Sequence, residues 1–201
     1  MKIRQPIALI FLILLLTSCH LAINNNNSND NNIEASAINT QLGLAYLKQG
    51  NRQRAKQKIL MALQESPNSL MANDAMAYYF ENVQDMQHAD YYYQQALQFY
   101  PESGAALNNY GAFLCRQKQY DLATSYFLKA AADLHYLNTG LIYENAGLCA
   151  LSAKHYSEAK KYFKKALEYD PHLVQSKFEL ETLSHSRSSR YSSYNSLNLG
   201  M

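Results

Sequence analysis

The sequence has no tryptophan, only four prolines and seven glycines, and three cysteines in 201 residues. So few glycines and prolines leave a turn-rich β-sandwich or barrel without its corners. The cysteines are few enough that their placement matters more than their number. Neither sign of charge dominates: 18 Lys and Arg face 16 Asp and Glu, for a net +2. That balance gives no electrostatic sign of nucleic-acid binding, which wants a clustered basic face. There is no HExxH and no CxxC, so no metal is expected, and no GxxxxGK[ST] or GxSxG. The chain therefore reads as non-enzymatic, without cofactor or small-molecule substrate. What is present is a 48% apolar composition with 17% charge, enough for a packed core, and 17 tyrosines. A tyrosine excess of this size points to a helical position filled repeatedly by Tyr.

The N-terminus reads as an address. Lys2 and Arg4 precede an unbroken apolar run from Ile7 to Leu16. Ten helical residues span about 15 Å, half of a bilayer core of about 30 Å, so the run is a secretory signal and not a stable transmembrane helix. It ends in Leu16-Thr17-Ser18-Cys19. This resembles the bacterial lipobox, which implies cleavage after residue 18 and lipidation of Cys19; a plain signal ending beside an unrelated Cys is the other reading. His20 follows where an Asp would resemble an inner-membrane retention signal, so the implied location is the outer membrane, lipid-anchored and facing the periplasm. Residues 19–35 contain the run NNNNSNDNN from Asn24 to Asn32 and read as an Asn-rich tether without an apolar face. Residues 186–201 are Ser-rich and read as a mobile tail.

Between these segments the chain repeats. Leu42, Gly43, Tyr46, Ala55, Ile59, Ala62 and Pro67 recur 34 residues later as Met76, Ala77, Phe80, Ala89, Tyr93, Ala96 and Pro101. They recur again as Tyr110, Gly111, Leu114, Ala123, Phe127 and Ala130, with His135 where Pro is expected. The last copy is offset by two further residues: Ala146, Gly147, Ala150, Ala159, Phe163, Ala166 and Pro171. This is the tetratricopeptide pattern, in which each pair of helices buries its apolar face only by stacking on the next. The predicted fold is all-α, a tetratricopeptide-repeat superhelix of four helix pairs over 36–69, 70–103, 104–139 and 140–173, with a capping helix over 172–184. The domain as a whole is placed at 36–185.

Such arrays work by presenting a groove lined by the first helix of each pair. The groove positions read as Met71, Asp74 and Tyr78 in repeat two, Asn108, Ala112 and Arg116 in repeat three, and Glu144 and Leu148 in repeat four. The surface is mixed, apolar with some acid, and suits a segment with aliphatic side chains. Cys115 and Cys149 lie near the ends of neighbouring first helices. In an oxidising compartment a disulfide is favoured; two buried free thiols used as small apolar residues are the alternative.

Two segments go beyond the generic pattern. NYGAFLC, Asn109 to Cys115, and NAGLCAL, Asn145 to Leu151, resemble the PilF/PilW family of type IV pilus lipoproteins. The resemblance implies paired cysteines at 115 and 149. It also implies a pilotin: a protein whose partner is the outer-membrane secretin, which it helps to localise and assemble into a ring. A general envelope adaptor docking barrel-assembly components or peptidoglycan enzymes would share the fold and the anchor.

Overall fold

The computed structural model describes residues 30–185. Cys19, the apolar run before it and the Ser-rich tail lie outside the described residues. Nine helices are present among the described residues: α1 (30–48), α2 (Arg52–Glu65), α3 (Leu70–Asn82), α4 (Met86–Phe99), α5 (Gly104–Arg116), α6 (Tyr120–Ala130), α7 (Thr139–Ser152), α8 (Tyr156–Tyr169) and α9 (174–185). The fold is all-α tetratricopeptide repeat; odd-numbered helices open each repeat and even-numbered helices close it. By its contacts the chain divides into two compact units, one ending at Asp85 and one beginning at Met86.

Turn chemistry explains the short connections. Gly50, Gln84, Lys118 and Lys154 all have φ between +62° and +75°. Each follows an opening helix and donates its N–H three residues back, as from Lys118 to the Cys115 carbonyl. The next residue donates five back, as from Gln119 to the Leu114 carbonyl. This is the Schellman turn, whose left-handed residue is usually glycine. Only the first of the four is Gly. Lys118→Gly is expected to raise stability by about 0.5–1 kcal/mol, because a β-carbon in this conformation is strained. A shift of the urea midpoint to higher concentration at unchanged slope checks this. Ser69 and Ser103 cap α3 and α5 by accepting from the Ala72 and Ala106 N–H groups.

In the first unit, α1 packs on α2 through Gly43. A β-carbon there would stand 2.5 Å from Ile59. The helix starts earlier than composition suggests: residues 30–35, expected in the tether, are helical. The buried stripe that organises α1 is polar at its start, with Ser36 at 2%, Asn39 at 8% and Thr40 at 0% exposure. Thr40 donates to the Ser36 carbonyl, and Asn39 donates to Glu65 while accepting from Lys58; the Ser36 hydroxyl is buried without a protein partner.

In the second unit the same contact recurs twice. Gly111 lies against the Phe127 ring and Gly147 against the Phe163 ring, where an added β-carbon would meet ring atoms at 3.0 and 2.6 Å. Both rings are almost wholly buried. The two-residue insertion after α6 also has a packing role. Asp133 accepts from the Gly104 N–H at 2.7 Å and the His135 N–H at 2.9 Å, while Tyr136 covers Gly104. These donors, with the Gly104 N–H first, hold the Asp133 carboxyl below its ordinary value. The capping helix α9 departs from the repeat at Glu181, 34 residues after Gly147. A long, exposed side chain stands where the earlier opening helices carry Gly or Ala, so α9 offers no seat for a closing helix.

Candidate functional site

The opening helices present the candidate surface. On α3, in the first unit, Met71 and Tyr78 are exposed and Asp74 is half-buried. They stand at i, i+3 and i+7, one helical face.

In the second unit the opening helices α5, α7 and α9 are tied side by side. Asn145 of α7 donates to Asn108 of α5 at 3.0 Å. Two turns further along α5 and one along α7, a disulfide joins Cys115 to Cys149, with Cα atoms 5.8 Å apart. From α7 to α9, the Glu144 carboxylate accepts from the Ser176 N–H at 3.0 Å and its hydroxyl at 2.8 Å.

These ties engage two of the expected groove residues. Asn108 is buried at 8% exposure and spends its amide oxygen on the neighbouring helix. Glu144 is half-buried, and its Oε2 caps the start of α9 and satisfies Ser176, which is fully buried. Of the remaining positions, Arg116 is exposed, while Ala112 and Leu148 are half-buried and form an apolar strip on α5 and α7. Leu141, 43% exposed, extends the strip towards the start of α7.

Glu144→Ala is expected to cost about 1–3 kcal/mol, the range for leaving buried donors unsatisfied. Because the loss falls on α9, amide exchange should accelerate there while α5 keeps its protection.

A second polar network stands in this unit. Tyr110 of α5 donates to Asp90 of α4 at 2.9 Å, and Gln94 donates to the Tyr110 oxygen at 3.4 Å. Burial, reinforced by the bond to Asp90, pushes the phenol up to about 12. Tyr93, Phe113 and Tyr126 surround the ring. The cluster is packing, with the Tyr110 hydroxyl satisfied.

Two further features lie outside the expected groove. Leu134 and Leu137 are 94% and 95% exposed in the loop that the insertion creates. The signal for that loop was the break in the 34-residue period. The other is a run of lysines on α8, legible as four Lys within six residues.

The tetratricopeptide-repeat family pattern matches residues 102–171. The type IV pilus assembly protein PilF of Pseudomonas aeruginosa is 37% identical over 163 residues, which is 80% of this chain and 65% of that protein. This chain thus spans just under two-thirds of that relative's length. The solved structure of P. aeruginosa PilF superposes with a TM-score of 0.72 at 34% identity, over 79% of this chain and 72% of that one. That of PilW, a widely conserved type IV pilus biogenesis factor, superposes with a TM-score of 0.67 at 29% identity, over 75% and 69%.

Proposed function

Because the chain belongs to the PilF/PilW-like family of tetratricopeptide-repeat proteins, we propose that it serves type IV pilus biogenesis as a non-catalytic binding protein. The observation that carries this reading is the 37% identity to PilF across 80% of the chain. In this reading residues 1–18 are removed, Cys19 is lipidated, and the segment from residue 19 to the start of α1 at residue 30 joins the repeat domain to the outer membrane. The partner is the secretin of the type IV pilus. The half-buried apolar strip of α5 and α7 receives an aliphatic segment of a secretin protomer and promotes delivery and ring assembly. A protomer exposes strand edges and apolar surface before its ring closes. A membrane-tethered binder raises the local concentration of its partner where the ring forms.

The test is a deletion strain whose outer-membrane fraction is run on an unheated gel and probed for the secretin. Loss of the high-mass ring band with persistence of monomer is the expected result. Normal rings in the outer membrane would overturn the secretin reading, and a permeability or cell-wall defect with normal pili would point to an envelope adaptor.

A further inference from the structure

We propose that the outer face of α8 seats on an anionic phospholipid surface. Lys160, Lys161, Lys164 and Lys165 fall within six residues of this helix. The helical period puts Ser157, Lys160, Lys161 and Lys164 on one stripe, opposite the buried Ala159, Phe163 and Ala166. Lys165 stands at the margin, its ammonium 4.9 Å from the Tyr143 ring centroid. Among the described residues, Lys160, Lys161 and Lys164 make no ion pair. The positive face is local: between Lys58 and Arg116 the chain has neither Lys nor Arg.

The arrangement works against folding. Lys160 with Lys164, and Lys161 with Lys165, are like charges four residues apart, and such pairs weaken a helix. Glu168 at the end of the same depression is one carboxylate against four lysines, and Glu158 stands at the start of the helix, so the stripe keeps a positive excess, and a local conflict of this kind marks function more often than packing. A sheet of anionic headgroups would neutralise all four lysines together.

Two observations favour lipid over a protein. The shallow depression along the stripe is lined by α8 residues alone, so no second helix rises beside it to wall a peptide. The cations are lysines, compact charges without the planar fork that grips one carboxylate, and they suit a field of many phosphates. The inference rests on the envelope location proposed above and adds which face meets the membrane. Its test supplies the membrane, so its outcome is independent of secretin assembly.

Whole protein, processed in the cell and purified in detergent, is mixed with vesicles of phosphatidylcholine alone or with about 30% phosphatidylglycerol. Amine acetylation of Lys160, Lys161 and Lys164 is followed by mass spectrometry, with the exposed Lys118 as internal reference. Their acetylation is expected to slow about threefold or more on the anionic vesicles only, and to recover in about 0.5 M salt. Lys164→Glu, on the exposed face, should abolish the slowing at Lys160 and Lys161. Equal rates on the two kinds of vesicle overturn the proposal. So does slowing that appears without vesicles and grows with protein concentration, which would mean a second copy covers the face.

Discussion

Phe163→Ala is expected to lower the stability of the second unit by about 3–5 kcal/mol, the range for emptying a buried aromatic site. The ring is fully buried. It fills the space left by the missing β-carbon of Gly147, whose replacement would bring a carbon to within 2.6–2.9 Å of three ring atoms. The surrounding helices are held by the disulfide and by the Asn145 and Glu144 bonds, so the site has little freedom to collapse. Gly147→Val should be destabilising for the opposite reason, since a branched side chain must displace the ring. The two changes together should cost less than their sum, because the ring that the introduced valine strikes is gone. Urea unfolding of the four proteins measures all three differences. Strict additivity would mean that Gly147 and Phe163 are not packing partners.

Removing the disulfide is expected to cost roughly 3–4 kcal/mol, the loop-closure entropy for 34 residues in the chain-entropy account. The paired change Cys115→Ala with Cys149→Ala tests this without leaving free thiols. Helical content should be unchanged, because α5 and α7 retain their packing and the Asn108–Asn145 bond. The urea slope should rise, since the unfolded chain, freed of its closed loop, exposes more surface. An unchanged midpoint would show that the bond adds nothing beyond the packing of the two helices.

The helix pairs were legible in the sequence because the contact that makes a pair is local. Gly43 with Ile59, Gly111 with Phe127 and Gly147 with Phe163 are each sixteen residues apart, so the 34-residue pattern carries the contact itself. The groove was less legible. Asn108 and Glu144 sit at the expected helical positions, but a neighbouring helix brings Asn145 and Ser176 to them. A period says which way a side chain faces and is silent about the polar atom it meets. The early start of α1 was hidden for a related reason. Its buried stripe begins with Ser36 and Thr40, and a reading keyed to apolar residues finds no face in an Asn-rich stretch. The lysines of α8 were visible as letters, yet the near-zero net charge masked how local they are.

The cross-link between α5 and α7 also has a mechanical consequence. Tension applied along the chain through the second unit reaches Cys115 and passes directly to Cys149 through the sulfurs. The segment between them, which includes all of α6 and the loop bearing Leu134 and Leu137, is bypassed by the force. Stretched to rupture of its non-covalent structure, the oxidised chain is shorter by about 110–120 Å than the reduced one, at 3.3–3.6 Å for each of the 34 residues. Under load the disulfide thereby keeps one repeat length out of the line of strain.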